Sequence, residues 1–287
     1  MKRQSHLLII DPQNDFCDLP ADWLPAGAAP SLPVPGAHQD MLRVAQLIKD
    51  AGAGFAQISI TLDAHHRYDI AHPTFWRTGD GAAVAPFTQI SAQALRDGQY
   101  APAAPGALAR AQAYLDALEQ AGRYQLMVWP VHCEIGSWGQ NVHGAVRAAY
   151  NAWEVAQLQV VAKLSKGSNP WTEHYSAVMA EVPDPDDPAT QQNTTFLDTL
   201  LPAQHIYICG EAGSHCVKAS TEHIADYLTQ QQGAHAVRKL VLLTDCMSPV
   251  TGFEEQQRNF LAAMQARGAR LATAAEVTSE LRAHAAA

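Results

Sequence analysis

No apolar run in this sequence approaches the roughly 18 residues needed for a membrane-spanning helix, which excludes a membrane partner of that kind. The opening MKRQSHLLII is too short an apolar stretch for an export signal and leads directly into DPQNDF. Basic residues are scarce: 19 Lys and Arg stand against 28 Asp and Glu, a formal net charge of −9. No basic stripe offsets that balance, so a nucleic-acid partner is not expected. Cysteine is sparse as well, with five residues at positions 17, 133, 209, 216 and 246 and no CxxC spacing. An odd count without an export signal reads as reduced thiols in a cytoplasmic protein. No internal repeat and no interdomain linker divide the 287 residues, so the expectation is one domain over 1–287.

What the chain does contain is short apolar runs alternating with amphipathic stretches. Strands are expected at 6–11, 55–62, 124–130, 157–163, 205–210 and 239–245. Helices are expected near 38–51, 105–121, 141–153, 215–231, 252–267 and 274–284. Continuous apolar strands separated by helices indicate a parallel sheet covered on both faces. The fold class is therefore α/β, a three-layer αβα arrangement with a doubly wound, mainly parallel, six-stranded sheet. Insertions near 18–37, 73–104 and 183–195 interrupt the repeat. The first is rich in Ala and Pro, and the third is acidic and broken by Pro, so both read as loops. Connections of this length are usually functional or disordered.

Polar residues stand at the expected C-terminal ends of five strands. Asp11 ends the first, Asp63, His65 and His72 follow the second, His132 the third, Lys166 the fourth and Cys216 the fifth. Each has a plainer reading alone: a capping Asp, a solvated Lys, surface histidines, a packed core thiol. A parallel sheet brings all five ends to the rim where open α/β sheets bind ligands, and that convergence outweighs the separate readings. Cys216 falls where a helix should begin, and unpaired N–H groups there favour a thiolate. A carboxylate such as Asp11 could take the thiol proton, an ammonium such as Lys166 would favour both anions, and N–H groups of Cys216 and the GEAG bend could hold an oxyanion. Asp63, His65, His72 and His132 offer one oxygen and three nitrogens, a set suited to Zn²⁺, Fe²⁺ or Mn²⁺. His66 falls on the opposite side of the extended D-x-H segment and is read as non-ligating.

In order along the chain, DPQNDFC, D-A-H followed by His72, WPVHC-x-x-G-x-x-G, KG with YSA nearby, and GEAGSHCV resemble the nicotinamidase branch of the isochorismatase-like cysteine hydrolases. A weaker match continues into LLTDCMSP. The resemblance implies Cys216 as nucleophile, Asp11 as general base and later acid, and Lys166 as third catalytic residue. It carries the metal site onto Asp63, His65, His72 and His132, with zinc the first choice, and the substrate-ring contacts onto Phe16 and Trp129. It aligns a non-proline cis peptide with Ala212–Gly213, making Gly213 and Cys216 the oxyanion donors. The implied reaction cleaves a small carboxamide, nicotinamide foremost, to acid and ammonia through a thioester, in a homo-oligomeric enzyme.

Two departures bear on substrate. Nicotinamidases usually carry Thr-Asp-x-Cys at the nucleophile, whereas this chain has Gly213-Ser214-His215-Cys216. About sixty residues separate His72 from His132 where compact relatives have a short link, so the insertion is expected to form a wall, lid or oligomer contact. Alternatives are an N-carbamoyl or ureido hydrolase, an isochorismatase-type hydrolase independent of the thiol, and a scaffold on the same fold.

Overall fold

Ser5–Ile10 (β1) is buried along its whole length, as a strand covered on both faces must be. The computed structural model describes residues 5–285; residues 1–4, part of the stretch read against an export signal, and residues 286–287 lie outside the described residues. Elements follow as Ala37–Ala51 (α1), Gln57–Asp63 (β2), Trp76–Thr78 (β3), Thr88–Ile90 (β4), Ala92–Arg96 (α2), Tyr100–Pro102 (β5), Leu108–Ala121 (α3), Leu126–Val128 (β6) and Gly144–Gln157 (α4). Then come Ala162–Lys166 (β7), Thr194–Leu200 (α5), His205–Gly210 (β8), Cys216–Gln232 (α6), Leu240–Leu243 (β9), Glu254–Ala266 (α7), Arg270–Ala272 (β10) and Ala274–Ala285 (α8).

Six strands form a wholly parallel sheet in the order β10-β9-β8-β1-β2-β7. The step from β1 to β2 and the steps from β8 to β10 run in opposite directions. Right-handed crossovers then put α1 on one face and α6 and α7 on the other. In keeping with this, α1 packs on α4 and α8, while α6 packs on α7. The order reverses between β1 and β8, so a crevice opens beyond their C-terminal ends. No described helix is long and apolar enough to cross a membrane.

The sheet differs from expectation in three strands. Residues 124–130 do not enter it, since β6 pairs antiparallel with β4 from the 73–104 insertion. The sixth position is taken instead by β10, an edge strand of three residues whose sequence, RLA, carries no run of apolar residues to announce it. The strand expected at 157–163 starts at Ala162, because α4 continues through Gln157 and Leu158 ends it in the left-handed region at φ 53°. Leu158 and Val160 are exposed, the latter at 81%, and of the apolar residues in the LQVV run only Val161 reaches the core.

The 73–104 insertion is not an irregular excursion. Its β3–β5 and β4–β6 pairs, α2 and the adjoining α3 enclose a second hydrophobic cluster that includes Phe75, Trp76, Ile90, Leu115 and Val128. The Trp76 indole N–H donates to the Ile70 carbonyl at 2.7 Å, which satisfies its one polar atom inside that cluster. The 18–37 segment is a loop with one short 3₁₀ turn at Ala21–Trp23. Trp76→Ala removes a fully buried indole and is expected to cost about 3–5 kcal/mol by denaturant unfolding. Val160→Ser on the exposed turn should cost below about 0.5 kcal/mol. Equal losses in the two variants would contradict this division between core and surface.

Candidate active site

Asp11 follows β1 in the left-handed region, with φ 43°. Thr61 on the neighbouring β2 holds it twice: the Thr61 Oγ1 accepts the Asp11 N–H at 3.0 Å and donates to its Oδ1 at 2.5 Å. Asp63 ends β2, and Gln13 clamps its backbone by accepting the Asp63 N–H at 2.7 Å and donating to its carbonyl at 2.8 Å. Lys166 ends β7. Its Nζ lies 2.9 Å from Asp11 Oδ2 and 3.0 Å from Asp63 Oδ1, donates to the His174 carbonyl at 2.9 Å, and stands 3.7 Å from Cys216 Sγ. Gly167 follows at φ +89°, where a Cβ would come within 2.8 Å of Asp63 Oδ1. Glycine there lets the chain pass beside the carboxylate.

His132 reaches this rim by a different route from the one expected, because β6 is outside the sheet. Residues 132–135 lie alongside 64–66: the His65 N–H donates to the Cys133 carbonyl at 3.1 Å and the Ile135 N–H to the His65 carbonyl at 3.0 Å. Asp15 Oδ2 fixes the same segment by accepting the Cys133 N–H at 2.7 Å. His65, His72 and His132 are buried, and their ligand nitrogens all lie within 4.8 Å of one another. Each ring's Nδ1 faces an outer acceptor: Asp69 Oδ2 at 3.1 Å for His65, the His66 carbonyl at 3.1 Å for His72, and the Pro130 carbonyl at 2.8 Å for His132. With the proton on Nδ1 of each ring, facing those acceptors, three Nε2 lone pairs would be left for an ion. Asp63 Oδ2 lies 3.1 Å from the His65 Nε2 and 3.4 Å from that of His132. This donor set of three imidazoles and one carboxylate oxygen fits a divalent ion such as zinc. His66 is exposed and stands outside the group.

Cys216 is the first residue of α6 and is 6% exposed. Burial pushes its thiol well up; Lys166 opposes the shift and Asp11 and Asp63 add to it. Desolvation of the anion thus works against the thiolate expected at a helix N-terminus. Burial likewise raises the Asp11 carboxyl, against the pull of Lys166. For Asp63 burial is overcome by His65 and Lys166, which hold its carboxyl well below the usual range. The Lys166 ammonium stays charged because Asp11 and Asp63 outweigh burial.

A narrow cavity of about 20 Å³ lies against Cys216. Phe16, Leu32, Trp129 and Val250 give it an apolar wall, and Tyr175, Glu173 and His215 complete it. The Trp129 indole N–H donates to the Tyr175 hydroxyl at 3.0 Å. Sequence reading overlooked Thr61, Gln13, Asp69, Glu173 and Tyr175. Gln13, in the matched DPQNDFC, and Tyr175, in the YSA matched near KG, lay in quoted motifs; the others contact the site through partners distant in the chain or through a local turn.

No protein-family model and no curated protein sequence matches the chain. Solved structures do. The yeast nicotinamidase bound to the inhibitor nicotinaldehyde superposes with a TM-score of 0.61 at 19% identity, over 94% of this chain and 100% of that one. A nicotinamidase/pyrazinamidase from Acinetobacter baumanii gives 0.58 at 17% identity, over 96% and 98%. The pyrazinamidase of Pyrococcus horikoshii in complex with zinc gives 0.50 at 18% identity, over 94% and 99%. The chain has the nicotinamidase fold.

Within that fold the nucleophile loop differs in detail from expectation. The cis peptide joins Glu211 to Ala212, one bond before Ala212–Gly213. The Gly213 N–H, expected to serve an oxyanion, is spent on the Ser248 carbonyl at 2.8 Å. The loop is clamped there between two elements, since the Glu211 N–H donates to the Ile10 carbonyl at 2.8 Å. Among the described residues the Ala212 and Cys216 N–H groups have no protein acceptor, and both residues line the cavity.

Two outcomes are expected. Asp69→Asn weakens the acceptor behind His65 and should lower zinc affinity about 10–100-fold in a competition titration against a chromophoric chelator; unchanged affinity would remove Asp69 from that role. Burial also depresses the His215 and His174 pKa values to about 3. A folded value below the unfolded one means stability is complete above about pH 6.5 and is lost as pH falls toward 3. Each ring should cost about 2 kcal/mol at pH 5 relative to pH 8. His215→Phe should flatten the pH dependence of the urea midpoint by that share, and an unaltered profile would refute it.

Proposed function

We propose that this protein is a cysteine amidohydrolase that cleaves a small ring carboxamide of the nicotinamide type to the acid and ammonia. The observation that carries this reading is the contact set of Lys166, whose one ammonium lies beside Asp11, Asp63 and Cys216 at the rim of the sheet. The nicotinamidase fold and the three converging imidazoles support it, and they favour it over an N-carbamoyl hydrolase, whose relatives generally lack a metal site.

Chemistry begins with transfer of the Cys216 thiol proton to Asp11. Both groups are raised by burial, so the proton moves between two desolvated sites while Lys166 remains cationic beside both. The Cys216 sulfur then attacks the carboxamide carbon, and the C=O pair moves onto oxygen. The Ala212 and Cys216 N–H groups, neither used among the described residues, are the donors for that oxyanion. Asp11 returns its proton to the departing nitrogen, the C–N bond breaks, ammonia leaves and a thioester remains. Asp11 then takes a proton from water as its oxygen attacks the thioester carbon. The acid is released, and the proton returns to the Cys216 sulfur. Phe16 and Trp129 supply apolar faces for a ring. Asp63, His65, His72 and His132 would hold a divalent ion whose Lewis acidity anchors a donor atom of the substrate. Anchoring raises effective molarity at the thiol rather than breaking the bond.

With zinc-loaded protein, ammonia release from nicotinamide should be measurable and should fall at least about 10³-fold in Cys216→Ala, a variant that retains the native circular dichroism spectrum. Absence of turnover by the unaltered protein, or its survival in Cys216→Ala, would defeat the reading.

A further inference from the structure

A second cavity, of about 220 Å³, adjoins the one at Cys216 and shares Tyr175 and His215 with it. The cavity at Cys216 is the narrower of the two, at about 20 Å³. Tyr175 and His215 form the wall that they share. On that wall the only polar tie to the His215 side chain among the described residues is Ser214, whose Oγ lies 2.9 Å from His215 Nδ1. The Ser214 Oγ also accepts the Val250 N–H at 3.1 Å, so the hydroxyl proton is free to go to Nδ1. With the hydroxyl proton in that bond, the ring proton sits on His215 Nε2, for which no protein acceptor is found among the described residues. Ser214, standing where Thr-Asp-x-Cys has Asp, and its neighbour His215 thus set a neutral donor between the two cavities.

Past His215 a lining that includes the apolar Met127 and Phe253 also carries donors, among them Gln125, Arg123 and Lys218. Arg123 and Lys218 share a single carboxylate, Glu222, at 3.2 and 3.3 Å, and Glu222 does not line the cavity. The other acid near Arg123 is Glu181 at 3.9 Å, which burial raises to about 7 and so leaves partly neutral. The cavity therefore faces two cations with less than two compensating charges. An oxygen anion entering it would meet Arg123, Lys218 and the His215 Nε2–H.

We propose that the second cavity is a substrate subsite for a carboxylate, so that the preferred substrate is a ring carboxamide bearing an anionic carboxylate substituent. The assignment rests on the amidohydrolase reading for what happens to the amide, but the subsite itself is a binding claim. The test is calorimetric binding of nicotinamide and of 5-carbamoylpyridine-3-carboxylate to the Cys216→Ala protein, with turnover of both amides by the unaltered protein. The carboxylate-bearing amide should bind at least about tenfold more tightly, and Lys218→Met or Arg123→Gln in the Cys216→Ala background should bring the two affinities within about twofold. Raising the salt concentration should narrow the gap in the same direction. Equal affinities, or a preference that survives both substitutions, would overturn the subsite. Hydrolysis of nicotinamide without any binding preference sinks the subsite alone. A binding preference without hydrolysis of either amide sinks the amidohydrolase reading and leaves the subsite standing.

Discussion

One buried ammonium organises the rim of the sheet. Lys166 stands between Asp11 and Asp63, within 3.0 Å of each carboxylate. Without it, two desolvated acids at the ends of adjacent strands would repel one another and one would have to take up a proton. With it, Asp63 stays ionised beside the imidazoles while Asp11, more dominated by burial, is raised. Lys166 serves both carboxylates, and the imidazoles beside Asp63 alone separate the behaviour of two chemically identical groups. One is left suited to holding an ion and the other to moving a proton.

The same desolvation governs Cys216. A helix N-terminus favours an anion, yet the thiol is buried beside two carboxylates, and these effects outweigh Lys166 and push the thiol up. In the proposed reaction a protonated thiol requires a base within reach, the role proposed for Asp11. The clamped loop from Gly210 to Cys216 serves the same end. Gly210 adopts φ +118°, where a Cβ would come within 2.0 Å of the Ile10 carbonyl oxygen, so β8 can leave the sheet directly beside β1. That close approach brings the nucleophile loop next to Asp11.

The insertion between β2 and β6 shows how a fold admits extra chain without losing its site. It builds a hydrophobic cluster of its own, draws β6 out of the sheet, and leaves the sixth position to β10. His132 is nevertheless delivered beside His65, because backbone bonds from Cys133 and Ile135 and the Asp15 carboxylate hold the segment against the end of β2. A loop anchored at both backbone and side chain here does the work of a sheet strand.

How much of this could be read from residues alone varies with the range of the interactions involved. The long apolar strands β1, β8 and β9, the amphipathic helices between them and the identity of Asp11, Asp63, Lys166 and Cys216 were legible, because burial on both faces and strand-end polarity leave local patterns. The strand at 124–130, the edge strand β10 and the folded character of 73–104 were not, since pairing partners and edge positions are settled by contacts distant in sequence. Nor did any local signal reveal that Ser248 takes up the Gly213 N–H, that Thr61 and Gln13 fix the two carboxylates, or that His215 divides two cavities. The residue types by themselves determined which chemistry is available. Tertiary structure alone decided the protonation state of the thiol, the free N–H groups beside it and the space for a substrate, because desolvation and packing exist only once the chain is folded.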